Sequence, residues 1–382
     1  MVKRIALLGA TGSIGSSTFE VVREQSQYLR ISLASAHSNH NKLCALAHEF
    51  KISTLVFTGI DDPALQNRIR HDNPEIKVYY GASELNKLLL QEDYDIGLNA
   101  IGGSAGIEAT FFILKAGKPL ALANKESLVM GGHLVAELSG TKHILPVDSE
   151  HSAIFQAIGT HPKHQIRKLI ITASGGAFRT LALQDFAGIT PAMALKHPNW
   201  NMGAKVTLDS ATMFNKALEV MEAHWLFDIP YESIEAIIHP QSVIHSIVEF
   251  IDGSHLAQLS FPDMKIPILY ALSYPERYGS QLVHTDLLQH AQLSFEAIDQ
   301  KRYPLFYLGL EAAAAGGLMP TVINAAVEAA MALFLGDRIT FPEIPLAVER
   351  TMNMARQIQH PSLAEILESN REYYRKCLEL YP

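Results

Sequence analysis

Asp148 and Glu150, in PVDSEH (146–151), stand either side of one serine and follow the apolar run Ile144-Leu145. In an extended chain, side chains at i and i+2 point the same way, so both acids would face one spot. Like charges there repel unless one is protonated or a divalent cation lies between them. The alternative is a turn in which Asp148 caps a helix beginning SEHSAIFQAI and Glu150 meets its dipole. A second polar stretch, HPNWNMGAKVTLDSATMFNKALEVMEAHW, runs from 197 to 225. On a helix N-capped by Asp209 or Ser210, Asn215, Glu219 and Glu222 recur at i, i+4 and i+7, with Lys216 three before Glu219, and form a polar stripe. In isolation such a stripe is a solvated face. Joined with Asp148 and Glu150, one acid from it completes an oxygen-donor set for Mg2+ or Mn2+. Ser174, Ser210, Asn215 and Lys216 offer hydroxyl, amide and ammonium donors to a phosphate. Glycines in ASGGAF and NMGAK, Gly203 among them, mark loops able to approach a ligand, with Trp200 and Met202 as an apolar lid. His197, beside Pro198 in such a loop, suits chemistry better than His245 in SVIHSIVEF, which reads as a hydrogen-bonded core residue.

A third constellation lies near the N-terminus. LLGATGSIGSST places Gly9, Gly12 and Gly15 between a strand and a helix, where backbone N–H groups can meet a pyrophosphate. An NAD site usually has an acid at the end of the next strand, for the ribose hydroxyls. SLASAHSNHNK offers Ser35, His37, Ser38, Asn39 and a nearby lysine instead, which favours NADP.

The elements that must position these groups follow from periodicity. Up to residue 148 short β-branched runs (RIALL, RISLASA, STLVF, KVYY, DIGLNA, PLALAN, HILPV) alternate with helical segments, the pattern of a parallel sheet covered on both faces. From 149 to 275 an α+β domain is expected, with strands RKLIITAS, IEAIIHP, SVIHSIVEF and SHLAQLSF and one helix over about 209–226. Ile251-Asp252-Gly253 signals a hairpin between the last two strands. An open sheet of that kind can pair across a two-fold axis, so this domain is the expected dimerisation surface. Residues 276–302 read as a connector, and 303–382 carry only helical periodicity, ending in a helix with Ser362 and Glu365 at capping-box spacing.

Bulk properties narrow the function. A net charge of −8 over 382 residues argues against nucleic acid and basic membrane-surface partners, so an anionic substrate must meet local cations. Cys44 and Cys377, the only two cysteines, make neither a disulfide framework nor a thiolate metal site, which fits a reducing cytoplasm. MVKRIALLGATG reads as a strand rather than a leader, and the apolar TVINAAVEAAMALFLG is too short to span a bilayer.

With GATGSIGSST, LANKESLV, PVDSEH, TASGGAF, HPNWNMGAKVTLDSATMFNKALEVMEA and HPQSVIHS in hand, the chain resembles the 1-deoxy-D-xylulose 5-phosphate reductoisomerases over residues 9–246. The resemblance implies a Rossmann-like NADPH domain over 1–148, a catalytic and dimerisation domain over 149–275, and a C-terminal helical bundle. It implies conversion of the ketose phosphate to 2-C-methyl-D-erythritol 4-phosphate with NADPH and Mg2+, Mn2+ or Co2+, in a cytoplasmic homodimer. Carried over by position, Asp148, Glu150 and Glu219 bind the metal, with Glu222 in support. Lys125 and Ser149 lie near the reacting oxygens, Ser174, Ser210, Asn215 and Lys216 hold the phosphate, and His197 and Trp200 belong to the closing loop. Thr11, Gly12, Ser13, Ile14, Asn124, Lys125, Glu126, Gly203 and Met264 fall at the cofactor. The family commonly has a lysine or small polar group after the second strand. This chain has Ser38 between His37 and Asn39, and His37 is the expected partner of the 2′-phosphate. The rival readings are a semialdehyde or acyl-phosphate reductase, which needs a cysteine nucleophile that neither Cys44 nor Cys377 provides, and a non-enzymatic NADP sensor, which would not need three acids.

Overall fold

In the computed structural model, residues 2–139, 144–196 and 203–382 are described. His197, Trp200 and Met202 lie outside them. Two compact units result, Met1–Ser127 with Val135–Ser152 and Asp263–His284, and Leu128–Leu134 with Ala153–Pro262 and Thr285–Pro382.

In the first unit the apolar runs form β1 (Lys3–Leu8), β2 (Leu29–Ala36), β3 (Thr54–Phe57), β4 (Lys77–Tyr80), β5 (Ile96–Asn99), β6 (Leu120–Leu122) and β7 (Ile144–Pro146). All pair in parallel, in the order β4-β3-β2-β1-β5-β6-β7. The crossovers are α1 (Ser13–Glu24), α2 (His40–Phe50), α3 (Pro63–Asp72), α4 (Ala82–Gln91), α5 (Ile107–Lys115) and α6 (Glu126–Ser139), and α7 (Ser149–Ile158) follows β7. Strand interiors such as Ile5, Leu7, Leu55 and Leu98 are fully or almost fully buried, as a sheet covered on both faces requires. The strand order reverses between β1 and β5, which makes a crevice at their carboxyl ends.

The second unit holds β8 (Ile166–Ala173), β9 (Ile234–Ile238), β10 (Ile244–Phe250) and β11 (His255–Leu259), in the order β11-β10-β8-β9. The hairpin expected at Ile251-Asp252-Gly253 joins β10 to β11, with Gly253 at φ 87°. β9 pairs with β8 in parallel, a crossover made by the intervening α8 (Pro191–Ala194), α9 (Ala204–Ala211) and α10 (Phe214–Phe227). After α11 (Lys265–Ser273) come α12 (Pro304–Ala315), α13 (Met319–Leu335), α14 (Glu343–Met352) and α15 (Leu363–Glu379). Helix α13 is buried almost all round, with Leu318, Val322 and Ala325 packed on Tyr373. Ser362 and Glu365 complete the expected capping box of α15.

Three expectations meet a different chain. The helix of 209–226 is two helices broken at Met213, which sits at φ 60°. Asp209 and Ser210 therefore lie in α9 and cap nothing, since the N-cap of α10 is Met213. Segment 263–284 returns to the first unit instead of continuing the second: Lys3 Nζ donates to Leu272 O at 2.7 Å and Gln25 Nε2 to Gly279 O at 2.7 Å. The helices after residue 303 form the expected all-helical C-terminal part and group with the central sheet in one compact unit.

Candidate active site

The glycine turn stands at the crevice between β1 and β5. Gly9 has φ 77°, and a Cβ on it would lie 2.4 Å from Ala100 O at the end of β5. Gly15 presses α1 onto Ala10, whose carbonyl oxygen would be 2.3 Å from an added Cβ. Gly12 is the N-cap of α1 and supplies no side chain, so the N–H groups of Ser13 and Ile14 in the first turn have no capping oxygen. An anion with several oxygens suits that end, and the residues fit the pyrophosphate of a dinucleotide. His37 lies 3.3 Å from Thr58 Oγ1, Ser38 is exposed, and Asn39 caps α2 by accepting from Lys42 N at 3.2 Å. Met264 is the N-cap of α11, whose Lys265 reaches Glu20 of α1 at 3.2 Å.

Asn124 is buried and engaged throughout. Its amide donates to Ile101 O at 2.8 Å, Gly103 O at 2.9 Å and Glu126 Oε2 at 2.9 Å, while its oxygen accepts from Ser127 N at 3.0 Å. It ties the loop after β5 to the loop after β6, and so fixes its neighbour Lys125.

Lys125 Nζ donates to Asp148 Oδ2, and His151 Nδ1 is 3.0 Å from Asp148 Oδ1. Burial would push the Asp148 carboxyl up; the Lys125 ammonium and the His151 imidazole outweigh it and hold it well below the usual range. Asp148 is also a cap: Glu150 N donates to Asp148 Oδ1 at 3.1 Å at the start of α7. The two acids thus meet across a helix N-terminus, not by strand alternation. Ser149 Oγ donates to Glu150 Oε2 at 2.6 Å. His151 was missed from the sequence; it is at i+3 from Asp148, which a helical reading of SEHSAIFQAI would have found. Hard carboxylate oxygens, one kept ionised by an ammonium, fit a divalent cation such as Mg2+.

In the second unit, Lys216 Nζ donates to Glu219 Oε2 and Asn215 Nδ2 to Glu219 Oε1. Lys216, Glu219 and Glu222 are buried, so this stripe is interior and not a solvated face. Ser174 Oγ accepts from Gly176 N at 3.2 Å in the turn after β8. Gly176 has φ 69° and packs on α9 so closely that a Cβ would be 2.5 Å from Ser210 O. The turn that carries Ser174 is thus packed, through Gly176, on the C-terminal end of α9 at Ser210 and Ala211. Gly203 is the exposed N-cap of α9. His245 is buried with Nε2 2.9 Å from Ser260 Oγ, the core role expected of it.

Three family models match the chain: 1-deoxy-D-xylulose 5-phosphate reductoisomerase over residues 5–132, its C-terminal domain over 144–227, and the DXP reductoisomerase C-terminal domain over 259–376. The 1-deoxy-D-xylulose 5-phosphate reductoisomerase of Listeria monocytogenes serotype 4b is 45% identical over 377 residues, 97% of this chain and 98% of that one. That of Chlorobium chlorochromatii is 45% identical over 374 residues, 97% of each chain. Among solved structures, the Zymomonas mobilis reductoisomerase in complex with NADPH superposes with a TM-score of 0.92 at 38% identity, over 100% of this chain and 99% of that one. A DOX-P reductoisomerase in complex with NADPH, fosmidomycin and magnesium gives 0.91 at 37% identity, over 99% and 98%.

Proposed function

The chain belongs to the 1-deoxy-D-xylulose 5-phosphate reductoisomerase family, and on that premise we propose how its residues divide the work. It is an NADPH-dependent, divalent-metal-dependent enzyme that rearranges and reduces 1-deoxy-D-xylulose 5-phosphate to 2-C-methyl-D-erythritol 4-phosphate. The observation that supports the residue roles best is the half-buried Asp148 carboxylate, held ionised by Lys125 and His151 next to Glu150.

Asp148, Glu150 and Glu219 would hold the metal, Mg2+, Mn2+ or Co2+, with Glu222 behind them. The bound metal supplies Lewis acidity that stabilises negative charge on the substrate's neighbouring oxygens, and NADPH supplies the hydride. Ser174, Ser210, Asn215 and Lys216 grip the phosphate away from the reacting carbons, so its binding energy can be used to orient the rest of the substrate. Lys125 donates a hydrogen bond to a reacting oxygen, and Ser149 orients its hydroxyl neighbour. His197 and Trp200, which lie outside the described residues, are assigned by the resemblance to the exclusion of water from the substrate. Gly9, Thr11, Gly12, Ser13, Ile14 and Gly15 seat the pyrophosphate, with His37, Ser38 and Asn39 along the adenosine side. Asn124, Lys125, Glu126, Gly203 and Met264 complete the nicotinamide side.

The enzyme acts as a cytoplasmic homodimer with a phosphorylated small molecule as its partner. Support for the dimer is β11, an edge strand with Leu256 46% and Leu259 39% exposed. No helix among the described residues is long and apolar enough to cross a membrane.

Absorbance of NADPH is followed with 1-deoxy-D-xylulose 5-phosphate, with and without Mn2+ after chelator treatment, with NADH in parallel. Metal-dependent oxidation that prefers NADPH is expected. Folded, metal-loaded protein that oxidises nothing would overturn the assignment.

A further inference from the structure

The end of β2 lacks the acid of an NAD site, and the side chains after it are partly committed. The His37 ring is wedged against Gly59, where an added Cβ would lie 2.2 Å from its Cε1. Asn39 is engaged as the cap of α2. Lys42, in the first turn of α2, reaches back across the glycine turn, and its Nζ donates to Thr11 O at 3.0 Å and Ser16 Oγ at 2.8 Å. Both anchors are neutral oxygens, and among the described residues no carboxylate pairs with this ammonium. An ammonium has three donors; two are engaged, which leaves one and an uncompensated charge at the flank of the turn that receives the pyrophosphate.

We propose that Lys42 is a specificity-determining residue of this enzyme, the cation that holds the 2′-phosphate of NADPH. The inference rests on the NADPH reading above and adds to it. The glycine turn and the start of α1 face the pyrophosphate, the loop after β2 faces the adenosine ribose, and Lys42 is the side chain that bridges the two. Thr11 O and Ser16 Oγ hold the flexible stem in place beforehand, so less side-chain freedom is lost on binding. NADH has no group to meet this charge, so the residue separates the cofactors without touching the chemistry.

The test is equilibrium binding, read by cofactor fluorescence on wild type, Lys42→Met and Lys42→Arg. Adenosine 2′,5′-bisphosphate and 5′-AMP serve as competitors. Wild type is expected to bind NADPH more tightly than NADH. In Lys42→Met the NADPH dissociation constant should rise on the order of tenfold, with less salt dependence, as loss of an exposed charge-assisted hydrogen bond predicts. NADH and 5′-AMP binding should stay within a factor of two, and Lys42→Arg should restore the preference. A Lys42→Met protein that keeps the wild-type NADPH to NADH ratio overturns the inference. So does equal weakening of both cofactors, which would make Lys42 a prop for the turn. Wild type that shows no preference would instead overturn the NADPH reading itself.

Discussion

Gly176→Ala separates substrate binding from cofactor binding. At φ 69° an alanine costs about 1–2 kcal/mol for the left-handed backbone. Its Cβ would also lie 2.5 Å from Ser210 O and 3.1 Å from Ala211 Cα, backbone atoms that cannot rotate away, and overpacking of that kind adds about 1–3 kcal/mol. Held rigid, the turn would lose about 2–5 kcal/mol, so it is expected to relieve part of the strain by lifting off α9. The Gly176 N–H to Ser174 Oγ link is then broken, and Ser174 is displaced together with the turn. A displacement of about 1 Å can cost on the order of 100-fold in rate. The expected result is a kcat/KM for the phosphorylated substrate lower by about that factor. The melting temperature should fall by about 2–4 °C for each kcal/mol retained as strain. Affinity for adenosine 2′,5′-bisphosphate, the adenosine end of NADPH, should not change, because the residues assigned to that end belong to the other unit. Gly188→Ala is the control: that glycine has no heavy atom within 4 Å of an added Cβ, so stability should stay within about 0.5 kcal/mol. If Gly176→Ala melts and turns over like wild type, the close approach of this turn to α9 plays no part in the site.

Glu150→Gln should keep the fold by circular dichroism yet lower turnover by orders of magnitude, and near-normal activity with Mg2+ would falsify the metal assignment. Chelation should abolish NADPH oxidation, with Mg2+ or Mn2+ restoring it; activity that survives exhaustive chelation counts against an oxygen-ligated metal. For pH, the Arg4 guanidinium hydrogen-bonds Asp95 at 2.8 and 3.0 Å and brings its carboxyl down to about 2. A depressed carboxyl contributes stability that is complete above its unfolded pKa near 3.9 and is lost as pH falls toward 2. Since the side chain is 37% exposed, solvent screening limits the contribution to about 1 kcal/mol. Asp95→Asn should therefore lower the urea midpoint at pH 7 and flatten its decline between pH 4 and 2, and an unchanged acid limb would refute the linkage.

The sheet was legible in the sequence because its strands are buried on both faces and appear as apolar runs. The hairpin at Gly253 and the cap at Ser362 carry local signals of their own. The break at Met213 carried none: apolar periodicity passes through Thr212-Met213, and a methionine in the left-handed region has no compositional mark. The return of 263–284 to the first unit was equally hidden, since its ties to Lys3 and Gln25 span more than 250 residues. Of the candidate site, Asp148 with Glu150 and the polar run 210–222 stand out in the sequence as residue types at close spacing. Their partners do not, because Lys125 and Asp148 meet only once β6 and β7 lie side by side.

The nucleotide-binding unit is closed by residues that a ribosome adds late. Lys3 waits for Leu272, and Gln25 for Gly279. At about 5–20 residues per second the strands emerge tens of seconds before the helix that covers α1. A nascent chain thus carries an incomplete sheet unit through synthesis of about half of the other unit, with apolar surface of α1 and β6 bare in the interval. Chaperone demand is expected to be greatest in that window, and a chain cut before residue 263 should be aggregation-prone even though it contains the whole glycine turn and every strand of the sheet.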